Sequence, residues 1–194
     1  MGGTMDGTKQ QRRGDTRQRI QDVALELFAE QGYEKTSLRE IAEHLDVTKA
    51  ALYYHYKTKE DILTSALEDY MAEVRELIAW AEQQPHTGEA RRELIRRYAQ
   101  VIDRRLTAMR FLQSDQAGVR KSELGDRFRG SMTKINQLLT PESGDLVARV
   151  RAFGAVVTLH AGIMFLAAEP EYDLAEVRAA ATTVAEELIA ANGD

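Results

Sequence analysis

The chain has 194 residues, 43% of them apolar, no cysteine, and a formal net charge of −5. That length suits one domain or two small ones with a proper core, and the lack of thiols excludes disulfides and thiolate chemistry. No apolar run reaches the length of a membrane span, the longest (residues 153–168) being broken by Thr158 and His160. The first residues form no apolar leader, so a cytoplasmic protein that does not engage a membrane is expected.

The charge is unevenly distributed. Residues 1–59 carry ten Lys/Arg against nine Asp/Glu, and residues 60–194 carry sixteen against twenty-two. Residues 1–14, rich in Gly, Thr, Gln and Arg, read as a flexible basic arm. A basic end on an acidic body fits local contact with phosphates, although a charged tail can equally serve solubility.

Asp15 with Gln18 forms a capping box expected to open the first helix. Ile20, Val23, Ala24, Leu27 and Phe28 make its apolar stripe, and Gly32 is expected to stop it with a left-handed cap. Ser37 and Glu40 form a second capping box, ahead of a helix whose stripe is Leu38, Ile41, Ala42 and Leu45. Asp46-Val47 makes a tight turn, and Thr48 caps a further helix reaching about Tyr56. On that helix Val47, Ala51, Leu52 and Tyr56 are expected to point inward. Lys49, Ala50, Tyr53, Tyr54 and His55 remain outside. A helix, a short turn and a donor-rich second helix make a helix-turn-helix, whose second helix enters the DNA major groove.

A long helix follows over about residues 59–82, with Glu60 and Asp61 in its first turn and an unbroken stripe from Ile62 to Ile78. Residues 84–88 end it. Further helices are expected over about 89–109, 124–139, 145–168 and 173–191, with residues 111–119 irregular or briefly helical. The segment at 140–144 and Pro170 supply the breaks. The last helix opens at Asp173 with Glu176 and carries Leu174, Val177, Ala181, Val184, Leu188 and Ile189 on one face. The fold class is therefore all-α, with about nine helices. It divides into the arm (1–14), a helix-turn-helix module (15–58) and a helical body (59–194).

Thr36-Ser37-Leu38-Arg39-Glu40-Ile41-Ala42, Leu45, Val47-Thr48 and the run Leu52-Tyr53-Tyr54-His55-Tyr56-Lys57-Thr58-Lys59-Glu60 resemble the TetR family of tetracycline-repressor-like regulators. The resemblance covers residues 15–63; beyond it only length and helical layout match. Asp46 stands where the family usually has Gly, and Tyr56 where Phe is more usual, so its hydroxyl needs a partner. The resemblance implies that Ser37, Thr48, Lys49, Ala50, Tyr53, Tyr54, His55 and Lys59 face DNA. Lys49 suits a guanine edge and Ala50 a thymine methyl. Ser37, Tyr54, His55 and Lys59 suit phosphates, and Tyr53 fits either role.

The family also implies a double-stranded operator, a small-molecule inducer in the body, and a homodimer through helices 145–168 and 173–191. The first of these helices is apolar on most sides, as burial on two faces requires. Gly154, Thr158 and Gly162 permit close helix approach, within one subunit or across two. Two-fold symmetry would set recognition helices about 34–36 Å apart. Tyr98, Arg105, Phe111, Phe128, Met132, His160 and Met164 are the candidate ligand contacts, being polar or adaptable groups among apolar faces. Arg105 with His160 would favour an anion. Catalytic and metal sites are not expected, and no cofactor: the four histidines lack metal-binding spacing, and no nucleophile motif or phosphate-cradling loop occurs.

Overall fold

The computed structural model describes residues 4–113, 122–165 and 171–193, with side chains placed for 15–111, 122–162 and 171–193. Among the described residues there are nine helices and no strand. They are α1 (Thr4–Gln31), α2 (Leu38–His44), α3 (Lys49–His55), α4 (Lys59–Ala81), α5 (Gly88–Arg104), α6 (Leu106–Gln113), α7 (Glu123–Leu139), α8 (Leu146–Phe165) and α9 (Leu174–Ala190). Among the described residues no helix is long and apolar enough to cross a membrane.

Two compact units divide the chain within α4 rather than ahead of it: Met71–Arg105 separates from the residues up to Tyr70, which associate with the segment from Leu106. In the amino-terminal unit, α1 starts at Thr4, well before the expected cap. No proline interrupts it, so Asp15 lies inside the helix and caps nothing. Its far end is as expected, with Gly32 at φ +95° and its amide bonded to the Phe28 carbonyl. Leu25 is buried along with Ile20, Ala24, Leu27 and Phe28, because α6 packs against α1. Phe111 of α6 meets Phe28 edge-on at 6.2 Å. Phe111 is thus a core residue of this unit.

The expected caps form. Ser37 Oγ accepts from the Glu40 amide while the Glu40 carboxylate accepts from the Ser37 amide at 2.8 Å. The Ser37 hydroxyl, and after it the Ser37 amide, donate to the Glu40 carboxylate and hold that carboxyl below its ordinary range. Thr48 Oγ1 accepts from the Ala51 amide at 3.2 Å. Between the two helices Asp46 sits at φ +54°, the left-handed conformation for which glycine is usual.

In the second unit α8 and α9 share the most extensive contact, and α5 packs on α9. Gly162 permits the close α8–α9 approach, since a Cβ there would stand 3.0 Å from the Ala181 Cβ; one on Gly154 would make only ordinary contact, 3.6 Å from Leu188 Cδ1. The small-residue stripe therefore serves packing inside one subunit. Val177, Ala181, Ala185 and Ile189 form the buried face of α9, whereas Val184, counted on the same apolar face in the sequence, is exposed. Salt bridges of Arg96 with Glu186 and of Arg178 with Asp103 tie α5 to α9.

The helix expected over 89–109 breaks at Arg105, whose backbone leaves the helical region (φ −123°, ψ 28°). The guanidinium of Arg105 bonds Glu73 of α4 at 2.6 Å, and Arg104 bonds the same carboxylate at 2.9 Å. Tyr98, fully buried on α5, joins its hydroxyl to His160 Nε2 on α8 at 2.7 Å and lies 3.2 Å from the Met132 sulfur on α7. Burial pushes the His160 imidazole down to about 4, so it is neutral near pH 7. The unfolded chain then takes up the extra proton below the ordinary histidine value of about 6.5. Stability is accordingly complete above that pH and falls as the pH drops towards 4. Urea unfolding should show a loss on the order of 2–3 kcal/mol over that window from this group. A His160→Gln variant, which keeps an acceptor but cannot protonate, should lose that component; an unchanged profile would refute the assignment.

Candidate functional site

The exposed face of α3 and its surroundings come first. Seven residues make up α3, and only Leu52 among them is fully buried. Its carboxyl end is fixed by Tyr56, whose ring is buried beside α1 and α4. The extra hydroxyl has partners after all. Arg17 Nε and Gln21 Nε2 each lie 3.0 Å from it, and Ser65 Oγ lies 3.2 Å away. Gln21 Nε2 also reaches Ser65 Oγ at 2.9 Å and Asp69 Oδ2 at 2.8 Å. One polar knot thus ties α3 to α1 and to the first half of α4. Gln21 is buried, so its loss would deprive the buried Tyr56 hydroxyl of a donor, at about 1–3 kcal/mol.

With α3 held this way, Ser37, Thr48, Lys49, Ala50 and Tyr54 are exposed, while Tyr53 and His55 are half-buried. Tyr54 is 65% accessible, and its ring meets His55 edge-on at 5.3 Å. Lys49 Nζ lies 5.5 Å from the Tyr53 ring centre. Ala51, expected inside, is exposed, because inward positions on so short a helix go to Leu52 and Tyr56.

Lys59 is placed differently from the rest. Its ammonium donates to the carbonyls of Tyr33 at 2.8 Å and Glu34 at 3.3 Å and lies 4.3 Å from the Tyr33 ring centre. It clamps the α1–α2 connection. The amino end of α4 is capped internally, since Asp61 Oδ2 accepts from the Thr58 amide at 2.9 Å and Thr58 Oγ1 accepts from the Asp61 amide at 3.0 Å. Two basic residues of α1 also make contacts within this unit: Arg17 joins the knot, and Arg19 reaches the Leu45 carbonyl at 3.4 Å. Exposed cations that sequence reasoning passed over are Arg39, paired with Glu43 at 2.7 Å, and Lys57, bonded to the Tyr53 carbonyl at 2.7 Å. Both stand in the motif already quoted.

In the second unit a cavity of about 860 Å³ opens among the end of α4, the start of α5, α7 and the connection into α8. Phe128 and Met132 line it. The other candidate ligand contacts do not. Tyr98 and His160 are engaged with each other, Arg105 is held by Glu73, and Phe111 belongs to the other unit. Met164 lies outside the residues whose side chains are described. Arg91 lines the cavity too and was missed, although its position on the buried register of Gly88, Leu94, Ile95 and Tyr98 is readable in the sequence. Among the described residues no cluster of His, Asp and Glu could hold a metal ion.

The sequence pattern of the bacterial regulatory proteins of the tetR family matches residues 20–66. The chain is 46% identical over 70 residues to the HTH-type transcriptional regulator AcrR of Shigella flexneri, covering 36% of this chain and 32% of that protein. It is 43% identical over 51 residues to IcaR of Staphylococcus epidermidis, the HTH-type negative transcriptional regulator of the biofilm operon icaADBC, covering 26% of this chain and 28% of that one. These matches thus span about a third or less of the curated relatives' length. The fold likeness reaches further. A TetR/AcrR-family transcriptional regulator from Thermobifida fusca superposes with a TM-score of 0.56 at 28% identity, over 89% of this chain and 97% of that one. AmtR of Mycobacterium smegmatis does so with a TM-score of 0.62 at 21% identity, over 89% and 90%. The tetR-family pattern thus lies on the helix-turn-helix at the amino-terminal end, and the all-α fold that runs through most of the chain is the one these regulators have.

Proposed function

We propose that the protein is a homodimeric DNA-binding transcriptional repressor that recognises a (pseudo)palindromic operator. A small-molecule inducer bound in the body, residues 59–194, releases it. Residues 15–58 are the reading module in this proposal. The observation that carries it is the outer face of α3, where Lys49, Ala50 and Tyr54 are exposed on a helix whose inner face is fixed by Leu52 and Tyr56. Packing turns Leu52 and Tyr56 inward and leaves those three side chains on the outer face, where a helix laid in a major groove presents its reading groups.

In this reading Lys49 contacts a guanine edge and Ala50 a thymine methyl, with Thr48 at the groove floor. Ser37, Tyr54 and His55 hold the phosphate backbone, and Tyr53 lies between the two roles. Lys59 acts chiefly by fixing the loop ahead of α2 and only secondarily through its charge.

The dimer is proposed through α8 and α9. Leu146, Val150, Phe153 and Val157 recur at intervals of four, three and four along α8 and are all exposed, Val150 and Phe153 by 61% and 60%. Val184 on α9 is exposed as well. Apolar side chains at coiled-coil spacing along one helix are what a second helix buries. A two-fold dimer also supplies the second reading helix that a palindrome needs.

Enrichment of binding sites from a random duplex pool should yield two-fold-symmetric sequences. Against such a duplex Lys49→Ala should cost about 1–3 kcal/mol and relax preference at a single base position in each half-site. A uniform loss at every position would remove Lys49 from base reading. Sedimentation velocity should find a dimer at micromolar protein, and Val150→Glu with Phe153→Glu should give a folded monomer with weakened operator binding. A wild-type monomer, or a dimer untouched by those changes, would contradict the proposed interface.

A further inference from the structure

We propose that the cavity of the body binds an amphipathic carboxylate, with Arg91 as the group that receives its charge. The inference deepens the reading of this protein as a ligand-released regulator and rests on it. Arg91 is 4% exposed, and among the described residues no carboxylate pairs with it. Its guanidinium bonds the Gly193 carbonyl at 2.7 Å and makes a longer contact of 3.4 Å with the His86 carbonyl. The buried Nε has no partner. Among the described residues its acceptors are two neutral carbonyls, which do not balance a buried positive charge as an anion would.

The cavity around it is suited to supply one. Its wall is mainly apolar, with Leu94, Phe128 and Met132 contributing, and about 860 Å³ accommodates a ligand of ten to thirty or so heavy atoms. The charges at its edge are also unbalanced in the same direction. Glu142, its single acidic lining residue, is engaged with His86 at 3.2 Å. Arg149, an exposed residue that also lines the cavity, forms no ion pair among the described residues. A guanidinium offers paired N–H donors in the geometry a carboxylate accepts. An apolar body with one anionic end fits this wall; a cation does not, and a neutral molecule leaves Arg91 as it is. The alternative role for Arg91 is purely to anchor the end of α9 at Gly193.

The test uses the full-length protein without DNA and a matched pair of probes, decanoate and 1-decanol, which differ in charge but share an alkyl chain. Titration calorimetry should show decanoate binding at least tenfold tighter than decanol. In Arg91→Met the two should bind alike, with decanol affinity unchanged. Because Arg91 also holds Gly193, a second variant guards against misfolding: Ala90→Trp fills the cavity wall, leaves both groups in place, and should abolish binding of either probe. Equal affinities in the wild type, no decanoate binding, a preference surviving Arg91→Met, or binding surviving Ala90→Trp would each overturn the proposal. Operator affinity is measured separately with and without decanoate. Selective binding that leaves operator affinity unchanged would uphold the carboxylate site and refute inducer release through it. Operator release by some other molecule, with no carboxylate preference, would do the reverse.

Discussion

A seven-residue helix with one fully buried side chain cannot hold its own direction, because short helices are marginal and a single apolar contact leaves rotation free. In this protein the direction of α3 is set by the residue after it. The Tyr56 ring enters the core of the amino-terminal unit, and its hydroxyl meets donors from Arg17 and Gln21 on α1 and the Ser65 hydroxyl on α4. These contacts act on a point beyond the helix end and so resist both rolling and tilting. The capping interactions of Thr48 and Ser37 fix the other end of α3 and the start of α2, and Asp46 accepts a left-handed backbone to keep the turn between them tight. The exposed face follows from these constraints: once Leu52 and Tyr56 are inside, Lys49, Ala50 and Tyr54 have nowhere to go but out.

The body solves a different problem. One face of α8 lies so close to α9 that Gly162 leaves no room for a Cβ without displacing Ala181. The opposite face presents Leu146, Val150, Phe153 and Val157. A helix apolar on both sides is stable in water only if both are covered, and the subunit covers one. The polar groups of this unit are mostly spent on one another. Glu73 takes Arg104 and Arg105, Glu186 takes Arg96, and Tyr98 takes His160. Arg91 stands apart from that pattern, a buried cation whose acceptors among the described residues are carbonyls.

Much of the amino-terminal unit was legible in the sequence because its signals are local. A capping box spans four residues, a left-handed turn occupies one, and the inward positions on α2 and α3 follow a short register. Ala51 escaped because a seven-residue helix has too few positions for periodicity to decide which small residue is inside. The Tyr56 hydroxyl could be recognised as needing a partner, but Gln21 and Ser65 could not be named. Contacts across 35 and 9 residues of sequence depend on how helices pack. The same limit applied more severely to the body. Arg105, Phe111 and His160 looked like ligand groups because each is polar or adaptable within an apolar stretch. Whether such a group faces a cavity or a neighbouring side chain is decided by tertiary packing: Arg105 meets Glu73, His160 meets Tyr98, and Phe111 packs on Phe28. Arg91 was readable in part, since an arginine on the buried register of α5 demands explanation, but its surroundings were not.

The account depends on the outer face of α3 lying against DNA while the body stays clear of it. Photo-crosslinking tests that most directly. A benzoylphenylalanine placed at Tyr54 should form a covalent adduct with an enriched duplex on irradiation, whereas the same group at Tyr172, also exposed but on the body, should form none. Adducts from position 172 with none from position 54 would contradict the central claim.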